Sequence, residues 1–432
     1  MLSFRGWFSR HGGWALVVTA CATLLITLLA LNFAPPEKRV EFAPKRLYDV
    51  ADSQFKRALG TLLGPPILHG NHIDTLRNGD EIFPAMLAAI RGAKRNIDFE
   101  TYVYWSGQIG RDFAAAIAER ARAGVKAHVL LDWVGSQRME TAVLQTMRDA
   151  GARVELYHPL RWYTIARMNN RTHRKLLIVD GQVAFTGGVG IAEEWTGNAQ
   201  DPQHWRDTHF RVEGPAVAQM QAAFLDNWMK VTGEVSHGED YFPALPAAGK
   251  SDAQVFESSP TGGSESMELM YLLAIVASQR SILLEAAYFI PDDLASQALI
   301  EARARGVQIR IIVPGKYNDA KVTRYASRNT WGPLLHAGVR IFEYQPTMFH
   351  CKVMIVDGML TSVGSTNFDD RSFRLNDEAS LNVYDADFAA IQTRIFEEDI
   401  ASSREYTIEE WNARSSWQQL SEWLSSTVDS QL

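Results

Sequence analysis

The sequence predicts an α/β protein made of two tandem αβα sandwich domains, related by a pseudo-two-fold and preceded by one N-terminal transmembrane helix. Three observations support this fold class: a long uncharged apolar run near the N-terminus, an alternation of strand and helix patterns, and an internal repeat of one such unit. At 432 residues the chain also exceeds the usual span of one hydrophobic core, so two domains are expected.

The apolar run from Trp14 to Ala34 carries no charge and has about the length that crosses a ~30 Å hydrocarbon core as a helix. We therefore predict a transmembrane helix over 14–34, after an N-terminal segment over 1–13. A cleaved signal peptide is the alternative, but the run is long for one and the two prolines that follow make a poor cleavage site. Basic residues flank the run on both sides, so the orientation in the membrane is left open.

The rest of the chain divides into a linker and two globular parts. Residues 35–65 contain prolines, charges and a short helical pattern, which predicts a linker without chemistry of its own. The stretch 238–252 is rich in Pro, Gly and acidic residues and lacks periodicity, so we place the seam between domains there. The predicted domains are 66–245 and 246–432.

The internal repeat is visible in several matched segments. Residues 93–104 (AKRNIDFETYVY) match 278–289 (SQRSILLEAAYF), each reading as a helix end followed by an apolar strand. Residues 119–132 match 301–314, each reading as a helix closed by glycine and then a buried strand. The alternation predicts a mainly parallel sheet with helices on both faces of each half.

Composition excludes several classes of protein. An apolar share of 46% and a charged share of 22% are those of a folded globular chain. The net charge of −7 provides no general attraction for a polyanion, so nucleic acid is not expected as a partner. Cys21 lies in the apolar run and Cys351 lies far from it in the second half, so we expect no disulfide between them.

The pattern His-x-Lys-x4-Asp occurs twice at matched places in the repeat. Its members are His173, Lys175 and Asp180 in the first copy, and His350, Lys352 and Asp357 in the second. A His and a Lys two residues apart on a strand point to the same face, so both can approach one anion. The Asp-Gly pair after each strand predicts a tight hairpin turn. A lone motif of this kind could be an edge pair facing water, but its recurrence in both copies favours function.

Small residues follow each motif at the same distance. They are Gly187 and Gly188 in the first copy and Gly364 and Ser365 in the second. Small side chains allow backbone N–H groups to come close to a phosphate oxygen, so the sequence predicts a phosphate cradle at these positions.

Together these residues resemble the signature HxKx4Dx6G(G/S)x(N) of the phospholipase D superfamily. The final asparagine is present in the second copy as Asn367, whereas the first copy has Gly190. The resemblance covers about residues 66–400, and the two-copy form with a membrane anchor is most similar to bacterial cardiolipin synthases. It implies two phospholipase D-like domains and a phosphatidyltransferase that acts on phospholipids.

The resemblance also implies roles for the motif residues. One histidine, His173, would form a covalent phosphohistidine while His350 protonates the leaving alcohol and then deprotonates the incoming one; the reverse assignment is open. Lys175 and Lys352 would neutralise the non-bridging oxygens, so no metal ion and no other cofactor is implied.

The resemblance implies that the carboxylates orient the histidine rings. Asp180 and Asp357 would fix the histidine tautomers through hydrogen bonds, directly or across the pair. Glu378 lies where the superfamily often has a further orienting acid, although an acid on the protein surface is the alternative. The implied substrate-binding residues are Gly187, Gly188, Gly364, Ser365, Asn367 and Glu378.

Two further segments are candidates for contact with the substrate. The segment 161–170 contains Arg161, Trp162, Tyr163 and Arg167, a mixture that suits a lipid headgroup interface, with a structural loop as the alternative. The segment 205–228 reads as a strand and an amphipathic helix, for which core packing is expected.

The leading hypothesis for function is phosphatidyl transfer that makes cardiolipin from phosphatidylglycerol or a similar lipid. The expected location is the bacterial inner membrane, with a single span, and the chemistry does not require an oligomer. Hydrolysis of phospholipids would use the same residues with water as the acceptor. A nuclease is disfavoured by the acidic balance of the chain, and a scaffold without catalysis would not need all six motif residues.

Overall fold

A computed structural model describes residues 4–33, 40, 42–161, 169–259 and 267–426. Trp162, Tyr163 and Arg167 lie outside the described residues, so the headgroup role of their segment stays a prediction. Two helices precede the sheet, α1 at Phe4–Phe33 and α2 at Ser53–Leu62.

The first half alternates strands and helices as the repeat predicts. Its elements are β1 (Leu68–Arg77), α3 (Asn78–Gly92), β2 (Asn96–Thr101), α4 (Gln108–Arg122), β3 (Lys126–Asp132), α5 (Thr141–Asp149), β4 (Arg153–Tyr157), β5 (Arg171–Thr172), β6 (Leu176–Val179), β7 (Val183–Gly187), a 3₁₀ helix (Glu193–Trp195), β8 (Thr208–Glu213) and α6 (Ala216–Thr232).

The second half repeats this order with additions. Its elements are β9 (Ser251–Ser258), α7 (Met267–Ala277), β10 (Ser281–Ala286), β11 (Phe289–Ile290), α8 (Asp293–Ala304), β12 (Gln308–Pro314), α9 (Lys321–His336), β13 (Arg340–Tyr344), β14 (Lys352–Val356), β15 (Leu360–Gly364), β16 (Phe368–Asp369), α10 (Asp370–Arg374), β17 (Asn376–Tyr384), α11 (Ala386–Ala401), β18 (Ser403–Tyr406), α12 (Ile408–Asn412) and α13 (Ser416–Ser426).

The strands of both halves form one continuous sheet. Its order is β18-β13-β12-β10-β14-β15-β17-β9-β1-β8-β7-β6-β2-β3-β4, and β5 pairs with β17 beside this path. Outward from the antiparallel pair β1–β9, each strand of the first half except β5 has a counterpart in the second half, from β8 and β17 to β4 and β13. This order confirms two repeated α/β units and gives the pseudo-two-fold a location between β1 and β9. The limits 66–245 and 246–432 stay predictions.

The sheet is mixed, so the expectation of a mainly parallel sheet was wrong. Within the first half, β2–β3 and β3–β4 are parallel. The pairs β1–β8, β8–β7, β7–β6 and β6–β2 are antiparallel. The physical reason is the hairpin that follows each motif. Asp180 and Gly181 both have positive φ, as do Asp357 and Gly358, as a type I′ turn requires, and such a turn joins antiparallel strands.

Helices cover both faces of the sheet. On one face, α3, α4 and α5 cover the first half and α7, α8 and α9 cover the second, each group with its own core. On the other face, α6 and α11 share one core that continues across both halves. A shared core of this kind fixes the two halves relative to each other, so the strand ends near the centre of the sheet can build one site.

Part of the segment predicted as a linker belongs to the globular part. Helix α2 begins at an N-cap, Asp52, whose side chain accepts a hydrogen bond from the N–H of Gln54. Its Phe55 and Leu59 are fully buried in the core of the second half. The chain is therefore packed on the protein before β1 begins.

Among the residues that the structure describes, no helix is long and apolar enough to cross a membrane. The span predicted over 14–34 therefore stays a prediction.

Candidate active site

Backbone hydrogen bonds hold the first motif against the second half of the chain. β5 pairs in parallel with the start of β17, and the N–H of His173 donates to the carbonyl of Asp377 at 2.9 Å. Lys175 follows just before β6, so its side chain lies on the same side of the chain as that of His173. The position of this histidine therefore depends on both halves.

The second motif is held in the same way by the first half. The N–H of His350 donates to the carbonyl of Arg206 at 2.7 Å, and the N–H of Arg206 donates to the carbonyl of Met348 at 2.9 Å. Arg206 and Asp377 are equivalent in the repeat. Gly187, at the end of β7, pairs with His209, and Gly364, at the end of β15, pairs with Ser380. Arg206 and Asp377 each lie three residues before these partners. The pseudo-two-fold therefore relates the contact between His173 and Asp377 to the contact between His350 and Arg206.

Each histidine also contacts a carboxylate from the opposite half. Nδ1 of His173 lies 2.9 Å from Oε1 of Glu378, which follows Asp377. Nδ1 of His350 lies 2.7 Å from Oδ2 of Asp207, which follows Arg206. A carboxylate accepts, so Nδ1 donates in both contacts and Nε2 is left without a proton in the neutral ring. The carboxylates therefore select the tautomer in which Nε2 is the nucleophilic or basic atom.

The two carboxylates are themselves anchored. Glu378 accepts from the hydroxyl of Ser365 and from the amide of Asn376. Asp207 accepts from the indole N–H of Trp195 at 2.9 Å and from the N–H of Thr208 at 2.8 Å. Burial alone would raise the pKa of both carboxyls, but their histidine and lysine neighbours bring each pKa below its ordinary value. Both acids are therefore ionised at neutral pH.

Burial lowers the pKa of both motif histidines and of both motif lysines. Burial lowers the pKa of His173 to about 4, and burial together with Lys352 lowers the pKa of His350. Burial also lowers the pKa of Lys175 to about 7 and lowers that of Lys352. Both rings are thus neutral at pH 7 before an anion binds, and a bound phosphate would raise all four pKa values because it stabilises the charged forms.

Both motif histidines and Lys175 line one cleft of about 470 Å³, within the range of small-molecule sites. His173, Lys175 and His350 lie on its wall, and the Nζ of Lys352 lies 3.3 Å from Nε2 of His350. The rest of the wall is mainly aromatic or charged, and includes Tyr102, Trp105, Arg138, Arg171, Glu194, Trp195, Trp205, Tyr288, Asp319, Asp369 and Arg371, together with the polar Asn367. Side chains from both halves therefore meet at one place that is open to a ligand.

Comparison with known proteins places this chain in a family. A family model described as "Cardiolipin synthase, PLD-like domain" matches residues 86–228 and 271–400. A cardiolipin synthase of Pseudomonas fluorescens is 34% identical over 368 residues, covering 84% of this chain and 76% of that one. The chain belongs to the cardiolipin synthase family of phospholipase D-like proteins. The resemblance predicted from the two motifs is thereby confirmed, as is the prediction of a cardiolipin synthase-like enzyme at the level of the family.

Other relatives agree on the family and on the fold. A cardiolipin synthase of Bacillus anthracis is 34% identical over 343 residues, which cover 79% of this chain and 66% of that protein, so the match spans about two thirds of the relative's length. The crystal structure of a phosphatidylserine synthase from Haemophilus influenzae covers 88% of this chain and 100% of its own, with a TM-score of 0.66 and 15% identity. The latter similarity supports the fold alone.

Asp180 and Asp357 do not contact the histidines, so the expected hydrogen bonds to the rings were wrong. The carboxylate of Asp180 accepts from the backbone N–H groups of residues 94–96, and that of Asp357 accepts from those of residues 279–281. The reason is distance along the strand. Seven residues at ~3.3 Å each place the aspartate ~20 Å from the histidine, at the opposite end of the strand.

This position predicts a structural effect for the motif aspartates. Asp180→Ala removes the acceptor of three backbone N–H groups and leaves an alanine at a φ of 56°, so we expect a loss of about 2–4 kcal/mol in stability. Thermal unfolding followed by circular dichroism should show a midpoint lower by several degrees, with kcat at 20 °C reduced less than tenfold. Asp149→Ala, on the surface, is the control. A thousandfold loss of kcat in a stably folded Asp180→Ala protein would contradict this assignment.

The small residues of the signature pack between strands, and two of their N–H groups are hydrogen-bonded within the sheet. The expected phosphate cradle at these N–H groups was therefore wrong. The N–H of Gly188 donates to the carbonyl of Thr208 and that of Ser365 donates to the carbonyl of Ala379. A Cβ at Gly188 would lie 2.2 Å from Oδ1 of Asp207, and one at Gly364 would lie 2.3 Å from the carbonyl of Ala379. Gly187 is similarly enclosed by residues 208–209. Small residues here allow the strand that carries the orienting acid to come close.

The final signature residue differs between the copies in a way that the packing explains. Asn367 lines the cleft, and its buried Oδ1 has no hydrogen-bond partner, which leaves it available to a ligand. A Cβ at Gly190 would lie 2.8 Å from that of Val103 and 3.3 Å from the ring of Trp195. An asparagine would not fit there without displacing these side chains, so the polar group is present on one side of the cleft.

Sequence reasoning missed Asp207, because the segment that contains it was assigned to core packing. The same segment supplies Trp205, whose ring lies 5.6 Å from that of His350. A signal was present, because Arg206-Asp207 comes just before β8 and Asp377-Glu378 lies at the start of β17. It was hidden because the chain from Gly187 to Asp207 is longer than that from Gly364 to Glu378. Extending the repeat past this insertion would have paired the two acids.

The expectation of catalysis without a metal ion stays a prediction. In the described part of the chain, no group of three or more His, Cys, Asp or Glu side chains is arranged to hold a metal ion. The positive charge beside the histidines comes from Lys175 and Lys352, whose Nζ atoms each donate to the carbonyl of the histidine two residues before at 2.8 Å.

Proposed function

We propose that the protein transfers a phosphatidyl group from one phospholipid to another and makes cardiolipin from phosphatidylglycerol. The observation that carries the proposal is the pair of histidines from opposite halves, each with a carboxylate on Nδ1 and a lysine beside it, on the wall of one cleft. This arrangement provides a nucleophile, a proton donor and positive charge, which are the three requirements for displacement at a phosphodiester.

In the first step, Nε2 of neutral His173 attacks the phosphorus of the donor lipid. The bond from phosphorus to the glycerol oxygen breaks, and that oxygen takes a proton from the imidazolium of His350. The low pKa of His173 supports its role as the attacking base. The donor phosphate raises the pKa of His350 by its charge, so that this ring is protonated when the donor is bound. The reverse assignment, with His350 as the nucleophile, is the alternative.

In the second step, the hydroxyl of the acceptor phosphatidylglycerol displaces the histidine. His350, now neutral, removes the hydroxyl proton, the new oxygen–phosphorus bond forms, and the bond between phosphorus and Nε2 breaks. Lys175 and Lys352 balance the charge of the non-bridging oxygens in both steps. Free glycerol is the product of the first step and cardiolipin that of the second.

The lining of the cleft supports a phospholipid substrate. Tyr102, Trp105 and Trp205 give apolar surface next to the histidines, while Arg171 and Arg371 bring one guanidinium from each half. A second phosphate accompanies the acceptor lipid, and arginine is well suited to bind it. Because both halves of the cleft come from one chain, we propose that a monomer is sufficient for turnover.

The deciding experiment gives the purified full chain phosphatidylglycerol with a labelled headgroup glycerol and identifies products by mass. We expect cardiolipin and free labelled glycerol in equal amounts. Phosphatidic acid with free glycerol would instead assign the hydrolase, which uses water as the acceptor. Cleavage of a labelled oligonucleotide with no change in lipid would assign a nuclease.

We also propose that the run over 14–34 attaches the enzyme to the bilayer in a single span, at the inner membrane of a bacterium. In the described part of α1, Trp14, Leu16, Leu24 and Ile26 are exposed, as expected for side chains that face lipid. The expressed chain should stay with the membrane pellet after extraction at pH 11. Release of the intact chain into the supernatant would contradict the anchor.

A further inference from the structure

Helix α13 has its polar side toward the protein and its apolar side toward the outside. Trp417, Leu420 and Trp423 are 76%, 44% and 56% exposed, and at 100° per residue they share one face. Glu422, on the opposite face, is almost completely buried. A surface helix of a soluble domain usually has the reverse arrangement.

Specific contacts fix this orientation. The carboxylate of Glu422 pairs with the guanidinium of Arg414, and both side chains are buried. The amide of Asn329 on α9 donates to the hydroxyl of Ser426 at 3.2 Å. Rotating α13 to bury its tryptophans would break both contacts and expose a paired charge. The apolar face is therefore presented outward by the fold.

The helix lies near the place where the chain arrives from α1. Ser426 and Val40 line the same cleft of about 830 Å³, on the outside of the second half. Val40 is seven residues after Phe33, the end of α1, so the chain can separate them by at most ~25 Å. Phe42, two residues beyond Val40, is 82% exposed. If α1 enters a bilayer, α13 is held close to the surface of that bilayer.

Helix α9 connects α13 to the active site. Thr323, in its first turn, lines the cleft that contains the histidines. Val322 and Tyr325, on either side of it, are exposed. Asn329, which contacts α13, follows Thr323 by six residues, or ~9 Å along the helix. The exposed Val322 and Tyr325 of α9 therefore lie next to a residue of the cleft wall, and the end of α13 contacts the same helix at Asn329.

We propose that the outward face of α13, formed by Trp417, Leu420 and Trp423, docks on the phospholipid bilayer and holds the mouth of the cleft at the level of the lipid headgroups. Tryptophan and leucine on one helical face are the side chains that enter the interfacial region of a bilayer. The inference rests on the proposed lipid transfer and anchor, since it explains how a substrate with two acyl chains reaches buried histidines.

Depth in the bilayer is the direct test. The full chain, with Cys21→Ser and Leu420→Cys, is labelled at position 420 with an environment-sensitive fluorophore and reconstituted in phosphatidylglycerol and phosphatidylcholine vesicles. Cys351 is completely buried and does not compete for the label. Gln418→Cys, exposed and about 200° around the same helix, is the matched control. We expect brominated lipids to quench the label at 420 at least twofold more than the label at 418, and iodide in the water to quench it less.

A label at 420 that iodide quenches as strongly as the label at 418 would overturn the proposal. So would protection from iodide without quenching by brominated lipid, because a protein, such as a second copy of the chain, would then cover the face. This measurement does not depend on activity. Quenching by lipid in a protein that makes no cardiolipin would therefore refute the proposed function and leave the docking in place.

Activity provides a second test. The triple variant Trp417→Ser, Leu420→Ser, Trp423→Ser should turn over phosphatidylglycerol in vesicles at least fivefold more slowly, with an unchanged rate on a short-chain phosphatidylglycerol below its micelle concentration. Met229→Ser with Val235→Ser, which replaces exposed apolar residues of the first half, should leave both rates unchanged. An equal loss on both substrates in the triple variant would contradict docking.

Discussion

Replacing His173 by alanine is expected to lower kcat by at least about a thousandfold, because it removes the atom that forms the covalent intermediate. His350→Ala should cause a loss of similar size, because the leaving oxygen then lacks a proton donor. The fold should persist in both, since each side chain lines a cleft rather than a core. Turnover of phosphatidylglycerol and thermal unfolding of each variant are the measurements. His72→Ala, at an exposed histidine of β1, is the control.

A donor with a good leaving group separates the two roles. A phosphatidyl ester of p-nitrophenol needs no proton on its leaving oxygen, so it should restore the first step in His350→Ala and release one equivalent of nitrophenol. It should not do so in His173→Ala, which has no nucleophile. Rescue of His173→Ala instead would reverse the assignment. Substantial turnover of phosphatidylglycerol in either variant would remove the basis for a shared site.

Glu378→Gln and Asp207→Asn are expected to lower kcat by about a hundredfold to ten-thousandfold, because an amide can hold the ring in the wrong tautomer. Each change acts on the histidine of the opposite half, Glu378 on His173 and Asp207 on His350. The affinity for lipid should change little, so KM should stay within a factor of about three. Glu213→Gln, at a partly exposed acid on β8, is the matched control.

The pH dependence of Glu378→Gln distinguishes an orienting acid from a merely structural one. The charge of Glu378 raises the pKa of His173, whereas burial lowers it, to about 4 overall. Removing that charge should lower this pKa further, so the acid limb of kcat/KM should move to lower pH. An acid limb that stays in place in a folded variant would contradict the direct contact.

The fold could be predicted from the sequence where short patterns determine it. The alternation of strand and helix patterns and the matched segments predicted two α/β units, and the Asp-Gly pairs predicted hairpins that the positive φ of Asp180 and Asp357 confirms. The pattern also predicted that a His and a Lys on one strand would share a face. These features depend on residues that are close in sequence, so they can be read locally.

The pairing of acids with histidines could not be predicted in this way. Asp180 has a fixed spacing from His173 and was therefore assigned to it, but a strand carries that spacing away from the ring. The true partner, Glu378, comes from a strand that β5 meets only after the two halves have docked. The prediction of a mainly parallel sheet was wrong for a related reason. A continuous run of buried residues does not distinguish parallel from antiparallel neighbours.

The exchange of contacts between Asp377 and His173, and between Arg206 and His350, has a consequence for synthesis of the protein. Emerging from the ribosome, the first half alone cannot present a competent imidazole to the bilayer, because its orienting carboxylate is more than two hundred residues away in the chain. Chemistry that cleaves membrane lipids is therefore withheld until nearly the whole polypeptide has been made.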